Sequence, residues 1–149
     1  MPPQRVRLLL GPGGHVRAET AALEPLVEPA PVSLAPGPID RSDPFLFHKT
    51  TNRAQYDAAQ RAVAGAEPLF WNPERQVTES ANANIVIDRG GVLVTPPVEC
   101  ALLAGTFRAE LLARGEIQEA IVTVDELRTA PRIWLINSVR EWRRAMLTA

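Results

Sequence analysis

Proline placement constrains this chain more than any other feature. The sequence holds 14 prolines, and the first 44 residues carry Pro2, Pro3, Pro12, Pro25, Pro29, Pro31, Pro36, Pro38 and Pro44. Each fixes φ near its own ring geometry and removes a backbone donor, so this stretch is expected to contain neither a long helix nor a central strand. Within it, Arg5 to Leu10 reads as a strand, Gly11-Pro12-Gly13-Gly14 as a turn, and His15 to Thr20 as the hairpin partner. Glycine-rich turns can cradle phosphate, but this one has no P-loop lysine and no helix after it, which favours the plain hairpin. Pro25 to Pro44 then reads as an extended connector.

The pattern changes at Phe45. Phe45-Leu46-Phe47 reads as a short buried strand, and Asn52 to Ala66 as a helix with Tyr56, Ala59 and Val63 on one face. Pro68 to Trp71, Val77 to Ser80, Asn84 to Asp88 and Val92 to Thr95 read as strands. Asn72-Pro73-Glu74-Arg75 and Gly90-Gly91 provide turns between them. Gly105 to Ala113 reads as a helix ended by Gly115, Ile117 to Val124 as a strand, and Val124 to Leu127 as the start of a short helix capped by Asp125 or Thr123. Ile133 to Ile136 reads as a buried strand and Val139 to Leu147 as a terminal helix or tail. Helices and strands alternate irregularly, with several hairpins. The fold class is therefore α/β, a mixed sheet with hairpins and flanking helices rather than a doubly wound parallel sheet.

At 149 residues the chain fits one domain with a core of its own. A net charge of −1 gives no field directed at nucleic acid or an anionic membrane, and neither is expected as a partner. Cys100 is the only cysteine, so no internal disulfide forms, and no Cys/His cluster points to a metal. The apolar run after Arg5 is short and ends at Gly11-Pro12, unlike a signal peptide, and no run approaches the roughly 20 residues of a membrane span. A cytoplasmic location is the expectation.

Few residues carry chemistry. Lys49 is the only lysine in the chain, following an apolar triplet. A lysine rooted near a core can serve as a Schiff-base amine; the ordinary alternative is a strand-end lysine reaching for water. Glu79 sits in an apolar strand and needs a partner, either a protonated ring nitrogen or an arginine. Gly105-Thr106 opens a helix whose free N–H groups suit phosphate, and Asn137-Ser138 follows a buried strand at its carboxyl end, a frequent ligand edge. An amine, a carboxylate and two phosphate cradles make up the requirement of a pyridoxal-phosphate site.

These residues also carry a resemblance. His48-Lys49-Thr50-Thr51-Asn52-Arg53 with Tyr56 resembles the lysine segment of class IV (fold type IV) pyridoxal-phosphate aminotransferases and aminodeoxychorismate lyases. Phe70-Trp71-Asn72, Val77-Thr78-Glu79-Ser80 and Asn82-Ala83-Asn84-Ile85 are similar to the family's segment for the pyridine-nitrogen glutamate. Leu93 to Pro97 and Leu102 to Arg108 are similar to its phosphate segment, and Asp125-Glu126-Leu127, Ala130 and Asn137 to Trp142 to its closing segment. The His-Lys-Thr-Thr wording is most similar to lyase domains fused to para-aminobenzoate synthase component I.

The resemblance implies a large cofactor-binding domain over residues 45–149, with residues 1–44 a remnant hairpin and connector. It implies pyridoxal 5'-phosphate as cofactor, a small-molecule substrate and a homodimer. Lys49 is implied as the catalytic amine that bonds the cofactor and moves protons at the substrate α-carbon and leaving group. Glu79 is implied to hold the ring nitrogen, and Gly105, Thr106, Phe107, Asn137 and Ser138 to hold the phosphate. The reaction implied is cleavage of 4-amino-4-deoxychorismate into 4-aminobenzoate and pyruvate, a step of folate biosynthesis. The alternatives are a branched-chain or D-amino acid aminotransferase, or a cofactor-binding domain without turnover. Family members carry a preceding small domain of roughly another hundred residues, of which only the last hairpin is expected here. That domain supplies a phosphate-binding arginine to which no residue here corresponds. Ala101 stands where the family has Gly, Ala104 where it often has Pro, and the turn at Pro73 to Gln76 lacks the usual glycine.

Overall fold

A computed structural model describes residues 2–148. Strands β1 (Gln4–Leu10) and β2 (Val16–Ala22) form the expected hairpin, with Leu10 opposite Val16. Gly14 closes the turn at φ 80°, where a side chain would be strained, and its N–H donates to the Gly11 carbonyl. This ribbon pairs only with itself, and Val6, Leu8, Leu10 and Val16 remain exposed along it.

The remaining strands are β3 (Ala30–Leu34), β4 (Glu67–Trp71), β5 (Val77–Ser80), β6 (Asn84–Arg89), β7 (Val92–Thr95), β8 (Gln118–Glu119), β9 (Ile133–Asn137) and β10 (Glu141–Leu147). They join in the order β5-β4-β3-β10-β9-β6-β7-β8. A further pairing of β5 with β6, through Glu79 and Asn84, brings the sheet back on itself. Six strands thus form a closed ring, and β7 and β8 extend from β6. Closure removes the unpaired edges that an open sheet would expose.

Alternation along the strands fills the ring with Ala30, Val32, Leu69, Val77, Ile85, Ile87, Leu135 and Ala145. Helix α3 (Val124–Thr129) adds Val124 and Leu127 to this core. Thr123 is its cap, accepting a hydrogen bond from the Glu126 N–H, which decides between the two caps expected. Helix α1 (Ala54–Ala62) packs Tyr56 and Ala59 with Phe70, Leu46 and Ala81 outside the ring. Helix α2 (Thr106–Ala113) lays Leu111 against Val86, Ile117 and Ile136.

Four expectations are corrected. The proline-rich connector contributes β3, which lies between β4 and β10 in the middle of the sheet. Pro31 is tolerated because of where its nitrogen faces. The Val32 carbonyl accepts from Thr148 on the β10 side, so by alternation the Pro31 nitrogen faces β4, where pairing begins only at Val32. The large sheet therefore takes in Ala30–Leu34, ahead of Phe45.

Phe45-Leu46-Phe47 is not a strand. Asp43 accepts from the Phe45 N–H and Pro44 starts a 3-10 turn, Pro44–Leu46, which buries Leu46 and leaves both phenylalanines exposed. Val139 to Leu147 is neither helix nor tail. The Asn137 side chain accepts from the Val139 and Arg140 N–H groups, turning the chain so that β10 pairs antiparallel with β9. Ile117 to Val124 keeps only Gln118–Glu119 as a strand, because its pairing with β7 ends there and the Val122 carbonyl accepts instead from the Val77 N–H of β5.

Two of the departures from the family pattern coincide with unusual backbone. Ala101 has φ 76° and Arg75 has φ 59°, the left-handed region that glycine occupies without cost.

Candidate active site

The site lies around the hairpin that joins β5 to β6. Glu79, near the end of β5, is buried and faces Asn84 across the pairing that closes the ring. Its Oε1 accepts a hydrogen bond from the Tyr56 hydroxyl at 2.7 Å. Tyr56 is held by α1 and by an edge-on contact with Phe70, with ring centroids 4.9 Å apart. Burial raises the Glu79 carboxyl to a pKa of about 7. The Tyr56 hydrogen bond, the Leu103 N–H and the positive charges of Lys49 and Arg53 oppose that shift. A buried carboxyl poised near neutrality, facing cations, is a recurring property of functional sites.

Lys49 lies in the segment between the 3-10 turn and α1, with its side chain exposed. It is close enough for its charge to act on Glu79. Arg53 ties this segment to the β5–β6 hairpin, donating to the Ala81 carbonyl at 2.7 Å and to Asn82 Oδ1 at 3.2 Å. Its guanidinium lies over the Tyr56 ring, 5.0 Å from the centroid.

The segment entering α2 reaches the same place. Asn84 Nδ2 donates to the Leu103 carbonyl at 2.9 Å, while the Leu103 N–H serves Glu79. Two residues on, Gly105 passes so close that a Cβ there would meet Asn84 Oδ1 at 2.2 Å. Gly105 is the cap residue of α2 in extended backbone, with no side-chain cap. The first-turn N–H groups of α2 are therefore available to an anion. Thr106 Oγ1 and Ser138 Oγ lie 2.6 Å apart, which brings the β9–β10 turn to this helix start. Asn137 Nδ2 donates to the Asn82 carbonyl at 3.0 Å, fixing the same turn to the β5–β6 hairpin.

The structure thus gathers Lys49, Glu79, Gly105, Thr106, Asn137 and Ser138 around one hairpin. Phe107 lies in the first turn of α2, its side chain packed at the edge of the Val86, Leu111 and Ile136 cluster, so its backbone is what faces outward from the helix start. Sequence reasoning assigned no site role to Tyr56, Arg53, Asn84 or the Leu103 backbone. Tyr56 was placed on the apolar face of its helix, which is correct for its ring, but nothing local showed where its hydroxyl would end. Among the described residues, no three His, Cys, Asp or Glu side chains gather as a metal site, and no helix is long and apolar enough to cross a membrane.

A closed mixed sheet with the α2 start and the β9–β10 turn at its β5–β6 hairpin places the chain in the fold type IV class. A protein from Mesorhizobium loti, provisionally named an amino-acid aminotransferase, superposes with a TM-score of 0.90 at 35% identity, over 97% of this chain and 73% of that one. A Legionella pneumophila protein, provisionally named a 4-amino-4-deoxychorismate lyase, superposes with a TM-score of 0.81 at 28% identity, over 89% of this chain and 52% of that one. The chain belongs to the amino-transferase class IV family, whose profile matches residues 14–146. A Schizosaccharomyces pombe protein provisionally named an aminodeoxychorismate lyase is 32% identical over 155 residues. That alignment takes in 96% of this chain and 66% of the yeast protein.

Proposed function

We propose that this chain is the cofactor-binding part of a pyridoxal-phosphate enzyme that splits 4-amino-4-deoxychorismate into 4-aminobenzoate and pyruvate. The observation that carries the reading is the buried Glu79 carboxyl, held by the Tyr56 hydroxyl, within reach of the Lys49 charge and beside the segment that enters the uncapped α2. The donor set fits the cofactor. Glu79 supplies an acceptor for the ring nitrogen, Lys49 an amine for the aldehyde, and the Thr106 and Phe107 N–H groups with Ser138 and Asn137 a cradle for the phosphate. When bound, the cofactor ring takes up the electron pair released at the substrate α-carbon. With the cofactor bound, Lys49 would take the α-proton and return a proton to the leaving group. Glu79 would hold the ring nitrogen, and the first-turn N–H groups of α2 would hold the phosphate without needing a charged side chain.

The lyase reading is supported by the names of the yeast and Legionella relatives. An aminotransferase reading draws on the Mesorhizobium relative, and both use the same lysine and glutamate. A third reading, cofactor binding without turnover, draws on coverage, since the chain spans 66% of the yeast relative and 52% of the Legionella one. In the domain reading, residues 45–149 together with β3 of the preceding segment form the cofactor-binding domain, and the β1–β2 hairpin is the remnant ahead of it, in a cytoplasmic homodimer.

Absorbance separates these readings. The expected result is a band near the visible edge on adding pyridoxal phosphate, lost on borohydride reduction and absent in Lys49→Ala. Pyruvate release from aminodeoxychorismate then favours the lyase over the aminotransferase. Cofactor binding with neither activity favours the third reading. A protein that gives no such band refutes all three.

A further inference from the structure

We propose that Tyr56 is a positioning residue for Glu79: its hydroxyl holds Oε1, so that Oε2 is the oxygen turned to the ring nitrogen and the carboxyl is kept as an acceptor. The inference rests on the cofactor reading above and deepens it by giving a role to Tyr56, to which the family resemblance assigned none.

The geometry is specific. The Tyr56 hydroxyl lies 2.7 Å from Glu79 Oε1, and both side chains are buried. The ring cannot swing away, since α1 fixes its backbone, Phe70 abuts its edge and the Arg53 guanidinium covers its face. Burial, followed by the charge and hydrogen bond of Glu79, pushes the Tyr56 hydroxyl above its ordinary range. It therefore keeps its proton and donates it to the carboxylate at Oε1. With Oε1 engaged by this donor, Oε2 is the oxygen left to take a proton or a further hydrogen bond.

The other groups facing Glu79 do not duplicate this function. Lys49 and Arg53, from the segment ahead of α1, act on Glu79 through charge. The Leu103 N–H, from the segment ahead of α2, is a second fixed donor. Asn84, opposite in β6, spends its amide on the Leu103 carbonyl. Asp43 lies near Tyr56, accepts from the Gln55 amide, and acts on the Tyr56 hydroxyl through its charge. Among the described residues, Tyr56 is the one neighbour that both bonds a defined oxygen of the carboxylate and is itself a side chain open to substitution.

The test is Tyr56→Phe, which keeps the ring and its contact with Phe70 while removing the donor. In cofactor-free protein, the Glu79 carboxyl is titrated by infrared or carbon NMR, with its signal assigned by its disappearance in Glu79→Gln. The wild-type midpoint is expected near 7. Removal of a hydrogen bond to a charged acceptor should change proton affinity about tenfold to a hundredfold, moving the midpoint upward by about one to two units. In loaded protein, nitrogen NMR of labelled cofactor should show the ring nitrogen losing its proton at lower pH in the variant than in the wild type. A melting curve establishes that the variant is folded, and a variant that does not fold is replaced by Tyr56→Met, read in the same way. An unchanged carboxyl midpoint overturns the proposal. Because that titration uses no cofactor, a wild type that fails to bind pyridoxal phosphate would sink the proposed function and leave the Tyr56–Glu79 result readable.

Discussion

Gly105→Ala is expected to destabilise this protein for one identifiable reason. Gly105 has φ −65° and ψ 141°, which alanine adopts freely, so the backbone raises no objection. Restricting the unfolded chain should even favour the variant by about 0.4–1 kcal/mol. Against this, the new Cβ meets Asn84 Oδ1 at 2.2 Å, where real contacts below 3.0 Å essentially do not occur. Asn84 has little room to yield, since it is buried in β6 and bonded to the Leu103 carbonyl. Displacing it leaves a buried amide and carbonyl without each other, at about 1–3 kcal/mol, the same range as general overpacking. The net expected loss is centred on about 1.3 kcal/mol, or a fall in Tm of roughly 3–5 °C for a chain of this size.

Urea melts of Gly105→Ala, Asn84→Ala and the double variant form the assay. Because truncating Asn84 removes the obstacle, the double variant should lose at least about 1 kcal/mol less than the two single losses combined. If the losses simply add, or if Gly105→Ala matches the wild type, the close approach of α2 to β6 is not what demands glycine there.

Two further outcomes follow from the same structure. The Glu79 carboxyl is raised from 4.5 to about 7 in the folded protein, so the native state holds its proton more tightly than the unfolded chain. That contribution is complete below pH 4.5 and is lost as pH rises through about 7, a loss of order 3 kcal/mol. Cofactor-free Glu79→Gln lacks this term. Its stability relative to wild type should therefore rise between pH 5 and pH 8 in urea melts, and a pH-independent difference would contradict the burial argument. Arg75→Gly should stabilise the protein by about 0.5–1 kcal/mol, by relieving a left-handed backbone at φ 59°. The exposed pair with Asp125 that it gives up contributes little. A calorimetric Tm at or below the wild-type value would argue against strain at that turn.

The chemistry of the site was written locally. The family resemblance, Lys49 as the only lysine, the carboxylate in the short strand β5 and the glycine before α2 all stand in short contiguous segments. Propensity and periodicity read such segments directly, and the hairpins at Gly11 and Gly90 were legible for the same reason. Misread segments were those whose state depends on a distant neighbour. Ala30–Leu34 looks like a proline-rich connector until β10 and β4 arrive on either side, with Pro31 facing a gap in the ladder. The residues after Asn137 look helical or loose until the Asn137 side chain turns them back along β9.

Tertiary structure alone decided how the pieces meet. The Tyr56 hydroxyl crosses from α1 to Glu79 on β5, Asn84 reaches Leu103, and Thr106 meets Ser138, each over a separation no periodicity spans. The sequence by itself determined which groups the molecule possesses and where its local turns fall, because these depend on neighbours within a few residues. Their convergence, and the rise of Glu79 toward neutrality, came from closing the sheet: pairing β5 with β6 buries a carboxyl among donors that other parts of the chain bring to it.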